Sequence, residues 1–149
     1  MEDLRDFVAG LEERDELKRI TGADWDLEIG GVTKMARSRG MSTALLFDDI
    51  PGYDPGYRVL TNVWDNPSTL TYALGYEPAS TLREAVVTHK ERSAPDEMIE
   101  PETVSSGPVL ENVMEGDEVD LNAFPAPKWH ECDGGRYLGT GAVVVTRHA

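Results

Sequence analysis

The chain has 149 residues, 40% of them hydrophobic, one cysteine, and a net charge of −14 from 28 Asp and Glu against 14 Lys and Arg. That length supports one core, burying roughly 70% of the unfolded surface, while the charge excludes nucleic acid as a partner because phosphate binding needs a positive field. No run approaches the ~18 apolar residues of a membrane span; with Cys132 alone and an acidic start, MEDLRDF, neither an internal disulfide nor a targeting peptide is expected, and the cytoplasm is the natural setting.

Asp3 is placed to cap a helix whose Leu4, Phe7, Val8 and Leu11 share one face. Leu17 to Ile20 follows as a short strand. Asp24 or Asp26 is expected to cap a second helix running to about Arg39, with Leu27, Val32, Met35 and Ala36 as its buried stripe and Gly40 as its stop. The Gly30-Gly31 pair costs such a helix up to ~1 kcal/mol per glycine, which implies close packing at that point. Ala44 to Phe47 is a compact apolar strand. DDIPGYDPG, Asp48 to Gly56, is a loop, and Arg58 to Thr61 a further strand.

Asn66-Pro67 supplies cap and first-turn signals for a helix to Leu74, stopped by Gly75. Thr81 and Glu84 are spaced as a capping box for the next helix, lined on one side by Leu82, Ala85, Val86 and His89. Ser93 to Gly107, with Pro95 and Pro101, reads as a linker or long surface loop. Pro108 to Val113 is an expected strand, followed by the acidic segment Glu115 to Asp120. Strands and helices alternate over residues 1 to 92, the pattern of an α/β or α+β layer domain. The boundary falls in residues 93 to 107, and a β-rich unit follows.

The segment Phe124 to Thr146, FPAPKWHECDGGRYLGTGAVVVT, holds the most specific signals. Its prolines dictate an extended entry. Asp133-Gly134-Gly135 reads as a turn, and Tyr137 to Thr146 as a Gly-punctuated strand. Such a strand needs partners from elsewhere, so residues 108 to 149 are expected to open a second, incomplete unit. The cluster Gly134, Gly135, Gly139, Thr140, Gly141 can offer backbone amides to an anion, or merely form a hairpin turn between close sheets. It matches neither a P-loop nor a dinucleotide fingerprint.

His130 and Cys132 would share one side of an extended chain. Without a second pair of ligands they do not make a structural zinc site, and Glu131 and Asp133 push the thiol of Cys132 away from nucleophilic reactivity. His89 is expected at a core or boundary position. Trp25, Trp64 and Trp129 are too dispersed in sequence to form a stacking platform. The acid pairs Asp48-Asp49 and Asp117-Glu118 show none of the contrast in environment that general acid–base work requires.

Taken together, LRDFVAGLEERDELKRI, DWDLEIGGVTK, ALLFDDIPGY, YRVLTNVW and the stretch from Gly107 to Arg147 resemble the N-terminal part of the UbiD family of decarboxylases. The block Asp133-Gly134-Gly135-Arg136-Tyr137 carries most of that weight. The resemblance implies an N-terminal α/β domain over residues 1–107 and the first strands of a split β-barrel flavin-binding domain over residues 108–149. It implies a carboxy-lyase acting reversibly on an aromatic or α,β-unsaturated carboxylic acid, with CO2 as co-product.

The implied cofactors are prenylated FMN, a divalent metal (Mn or Mg) and potassium. Thr140 corresponds by position to a threonine lining the flavin pocket. The family's catalytic Arg and glutamates, and its metal and phosphate ligands, lie downstream of the segment matching Thr146, so no catalytic or metal-binding residue is assigned here. The chain alone is expected to be inactive and to hold cofactor weakly or not at all. Its partners would be the remaining part of the decarboxylase or a homo-oligomer. The alternative is a non-catalytic accessory or truncated subunit that associates with a complete enzyme.

Overall fold

The computed structural model describes residues 3–93 and 100–139. Helix α1 (Leu4–Glu13) begins where Asp3, extended at φ −145°, accepts hydrogen bonds from the amides of Arg5 at 2.7 Å and Asp6 at 3.0 Å. Phe7, Val8 and Leu11 are buried as the spacing predicts, whereas Leu4 is exposed. Strand β1 (Leu17–Thr21), helix α2 (Glu28–Ser38) and strand β2 (Ala44–Asp48) then form a βαβ unit. β1 pairs parallel to β2 in the register Leu17 with Ala44 to Thr21 with Asp48. The short β3 (Val59–Thr61) pairs antiparallel to β2, with Phe47 opposite Val59, giving the sheet order β1-β2-β3.

Leu45 and Phe47 pack with Ile29, Ala36, Ala23 and Ile50 on the side covered by α2. On the opposite side Ala44 packs with Phe7 and Leu11 of α1, joined by Tyr72 and Ala73 of α3 (Pro67–Ala73). Because both faces of β2 are covered, its residues read as an unbroken apolar run rather than an alternation. The result is a three-layer mixed α/β unit.

Several expectations are corrected. α2 starts later than Asp24 or Asp26, because Leu27 adopts the left-handed region at φ 70° and no side chain caps the helix. Asp24 instead serves the preceding turn, accepting from the Asp26 amide at 2.8 Å. Along α2, Ile29, Gly30 and Ala36 are buried while Met35 is exposed.

Helix α4 (Leu82–Arg92) has its expected Thr81 cap, at 3.2 Å from the Glu84 amide, while the Glu84 carboxylate reaches the Ser80 amide at 2.8 Å. Of the side assigned to it only Ala85 is buried; Leu82 and Val86 are exposed. His89 is exposed too, its ring nitrogen 3.3 Å from the Tyr76 hydroxyl, because α4 lies at the edge of the layer.

Pro108 to Val113 is not a strand. Pro108–Leu110 forms a 3-10 turn closed by the Leu110 amide on Gly107 O at 2.9 Å. Pro108 lacks an amide to give to a ladder, and no described strand lies alongside. Similar 3-10 turns at Gly116–Glu118 and Leu121–Ala123 continue this segment.

The glycine pair of α2 divides in two. A Cβ on Gly30 would collide with the backbone of Trp129, at 2.8 Å from Cα and 2.9 Å from C, whereas one on Gly31 would meet open space. Gly31→Ala should therefore raise unfolding stability by ~0.5–1 kcal/mol through helix propensity. Gly30→Ala should lower it by ~1–3 kcal/mol through overpacking. Urea unfolding of the two variants measures both, and equal effects would contradict the packing described.

At the edge of the sheet Arg19 bridges two carboxylates, Glu12 at 2.5 Å and Asp48 at 2.7 Å. The hydrogen bond from Arg19 holds the Glu12 carboxyl below its ordinary range, and backbone amides do the same for Asp3. A depressed carboxylate contributes stability at neutral pH and loses it as the pH falls through its folded value. The Tm difference between wild type and Glu12→Gln should hold at neutral pH, begin to shrink as the pH falls past the ordinary Glu value of about 4.3, and vanish only once the depressed carboxyl is itself protonated in the folded chain. Using the difference cancels the general relief of repulsion that acid gives to so negative a chain.

Candidate functional site

The site is the junction where residues 120–139 fold back on the entry to α2. The Lys128 amide donates to Trp25 O at 3.0 Å and the Leu27 amide donates to Lys128 O at 3.0 Å, forming an isolated parallel bridge between Asp26 and Lys128. The left-handed Leu27 turns the chain from this bridge into α2, which brings Gly30 against the backbone of Trp129. Pro125, Ala126 and Pro127 are buried beneath the junction, so the extended entry dictated by the prolines is also its anchor.

Arg136 closes the arrangement. Its guanidinium lies 3.6 Å above the centroid of the Trp25 ring and donates to the Tyr53 hydroxyl at 2.5 Å. That hydroxyl donates in turn to Asn122 O at 3.0 Å. A cation over an indole face contributes ~0.5–2 kcal/mol depending on desolvation, and the hydrogen bonds about 1 kcal/mol each. Beyond it, the Tyr137 amide donates to Pro127 O at 3.1 Å.

Two open grooves flank the junction. One, of ≈ 560 Å³, is lined by Trp25, Asn122, Lys128, Asp133, Gly134 and Arg136 among others. The other, of ≈ 540 Å³, runs past Thr33, Arg37, Trp64, Trp129 and Tyr137 to Gly139. Trp64 and Trp129, distant in sequence, therefore share one groove, with no ring contact between tryptophans among the described residues. In its wall the Thr33 and Thr61 hydroxyls are 3.0 Å apart and Arg37 pairs with Asp65 at 2.6 Å. Asn62 also lines it; its amide nitrogen donates to Met41 O and Thr43 O, while its buried Oδ1 has no partner among the described residues.

His130 and Cys132 do not lie on an extended chain. The Asp133 amide donates to His130 O at 3.1 Å, and the Asp133 carboxylate accepts from the His130 amide at 2.9 Å, so residues 130–133 form a turn. Cys132 is exposed on it. Among the described residues no three His, Cys, Asp or Glu side chains converge as a metal site. Asp48 is engaged by Arg19 and Arg58, and Asp117 and Glu118 sit on an exposed 3-10 turn, so neither acid pair forms a proton-transfer couple.

Tyr137 to Gly139 are not in a strand, and the rest of the strand expected to Thr146 lies outside the described residues, as does Thr140. Gly134 and Gly135 carry amides with no partner among the described residues and have open space at their Cβ positions. This fits one backbone edge of an anionic cofactor, but the described residues do not fit the metal. Arg136, Tyr53 and Asn122 were missed as a group in the sequence. Their contacts span up to 83 residues and follow no local pattern, although Arg136 stands inside the most distinctive block.

The model of the 3-octaprenyl-4-hydroxybenzoate carboxy-lyase N-terminal domain matches residues 8–87, and that of the Rift-related domain of the same family matches residues 102–149. The chain belongs to this family, UbiD. It is 37% identical over 146 residues to the pyrrole-2-carboxylic acid decarboxylase of Pseudomonas aeruginosa, covering 93% of this chain and 29% of that protein. Its fold is similar to the vanillic acid decarboxylase of Sedimentibacter hydroxybenzoicus. The TM-score is 0.73 to the open form at 27% identity and 0.77 to the closed form at 26% identity. Each comparison covers 91% of this chain and 29% of that one. The chain thus spans under a third of the length of these relatives. No helix among the described residues is long and apolar enough to cross a membrane.

A metal test follows from the turn at residues 130–133. Zinc added to the chain and then dialysed should leave no stoichiometric metal, with wild type, His130→Ala and Cys132→Ser giving the same result by atomic absorption. Retained zinc that depends on either residue would contradict this assignment.

Proposed function

We propose that this chain supplies the N-terminal α/β domain, residues 1–107, and the opening of the split-barrel flavin-binding domain, residues 108–149, of a cytoplasmic UbiD-type decarboxylase. The observation that carries the reading is the ordered match of two models of one family, over residues 8–87 and 102–149. The interval between them, residues 88–101, overlaps the proline-bearing stretch 93–107 in which the sequence reading puts a boundary. Its substrate class is an aromatic or α,β-unsaturated carboxylic acid, in keeping with the pyrrole-2-carboxylate and vanillate named for the relatives.

Prenylated FMN, with a divalent metal and potassium, supplies the electronic chemistry of carbon–carbon bond cleavage when bound. This chain's part is orientation and enclosure. Thr140 is its cofactor-contacting residue, and the amides of Gly134 and Gly135, which have no partner among the described residues, are further donors upstream of it. The catalytic acids, the catalytic Arg and the metal ligands are supplied by polypeptide outside this sequence, consistent with coverage of 29% of the relatives. Exposed Val104, Val109, Leu110, Val113, Met114, Leu121 and Phe124 support a surface that other polypeptide covers.

The chain alone should release no CO2 from such acids and show no H/D exchange at the carboxyl-bearing carbon, whereas a complete polypeptide carrying it should do both. FMN should bind the chain alone more weakly than micromolar. A partial wall must offset several kcal/mol of lost ligand freedom, about 4–15, against a repulsive net charge of −14. Fluorescence titration of wild type and Thr140→Val tests this. Micromolar binding would mean a more complete site, and in the complete polypeptide only a pocket-lining Thr140 should weaken FMN on substitution without lowering Tm.

The second reading is a non-catalytic subunit that associates with a complete decarboxylase. The same exposed apolar residues favour association. Size-exclusion chromatography at micromolar concentration is its test, and a stable monomer would count against it.

A further inference from the structure

We propose that Arg136 is a positioning residue that fixes the direction in which Tyr137–Gly139 leaves the α/β layer. The consequence for cofactor binding rests on the function proposed above; the positioning itself rests on geometry alone. Three independent elements meet at this one side chain. Trp25 comes from the turn before α2, Tyr53 from the loop after β2, and Asn122 O from the 3-10 turn Leu121–Ala123. The guanidinium stacks on the first, donates to the second, and through the Tyr53 hydroxyl reaches the third.

A planar, permanently charged fork is suited to this combination, since it stacks on an indole and donates in its own plane at once. Lysine can keep the charge over the ring but not the fork. Downstream of Arg136 only one backbone hydrogen bond, Tyr137 N–H to Pro127 O at 3.1 Å, holds the described chain to the layer. Tyr137 and Leu138 are exposed, so apolar burial does little to hold them. Upstream, Gly134 and Gly135 make no hydrogen bond with any described residue. Among the described residues Arg136 is thus the sole strong side-chain attachment of residues 134–139, and their direction is set from that point.

The test is amide hydrogen exchange by mass spectrometry on the full chain as wild type, Arg136→Lys, Arg136→Met and Tyr53→Phe, with FMN titration of a complete polypeptide as a second arm. Arg136→Met should speed exchange at least tenfold at the Tyr137 amide, the one amide of residues 134–139 bonded to a described residue, and leave β1 and β2 unchanged. Arg136→Lys should restore part of the protection, and Tyr53→Phe should fall between wild type and Arg136→Met. Unchanged exchange in Arg136→Met would overturn the proposal. So would acceleration spread evenly over β1 and β2, which would make Arg136 a general stability contact.

In the second arm Arg136→Met should weaken FMN about as much as Thr140→Val does. If Thr140→Val weakens FMN and Arg136→Met does not, the cofactor reading stands and the positioning role is overturned. If neither affects FMN while the exchange result is as expected, the cofactor reading fails and the geometric role of Arg136 is supported.

Discussion

The burial of β2 on both faces is the constraint on which the rest of the structure depends. Leu45 and Phe47 face the α2 side while Ala44 faces α1 and α3, so one five-residue strand contributes to both cores. A strand in that position cannot be edge-exposed, which requires β1 and β3 on its two sides. It also requires a helical crossover between the parallel strands β1 and β2, and α2 provides it. The position of α2 then decides where residues 120–139 can land, because Gly30 is the point on that helix open to another backbone. Fold and site are joined through that one missing side chain.

Charge has a different role. A net charge of −14 opposes compaction in general, yet the cations present are placed where they matter locally. Arg19 ties α1 to the end of β2, Arg37 ties α2 to the 3-10 turn Val63–Asp65, and Arg136 holds the junction. The first two pairs are substantially exposed, and their contribution is small and screened by salt. Arg136 differs, since it is half-buried and makes its principal contacts with an indole face and a neutral hydroxyl. Attraction of that kind is less sensitive to salt than an exposed ion pair, so this junction can persist where the others weaken.

What could be read from the sequence follows the range of the interactions involved. The Asp3, Asn66 and Thr81 caps bind amides two or three residues away, and all three helices start where the residues indicate. β2 was legible as a compact apolar run, and β1 and β3 as short strands between turns. The start of α2 was not, because a non-glycine residue, Leu27, occupies the left-handed region and is held there by Lys128, a hundred positions further on. Pro108 to Val113 has strand-forming residues but no neighbour among the described residues, and propensity without a partner does not make a strand. His89 sits on the side of α4 expected to be inner, but α4 packs through little more than Ala85.

The site was legible only as a block of residues, not as an arrangement. Asp133-Gly134-Gly135-Arg136-Tyr137 signalled the family, with the glycines drawing attention and the arginine merely standing between them and the tyrosine. In the structure the weights are reversed. The glycines contribute amides that no described residue pairs with, and Arg136 contributes the contacts with Trp25 and Tyr53. A flexible donor loop loses conformational entropy on engaging a ligand, and an attachment already made by the protein lowers that cost before the ligand arrives. On the proposed role, the anchored Arg136 and the open backbone of Gly134 and Gly135 are complementary, the attached atoms and the free donors lying within a few residues of each other.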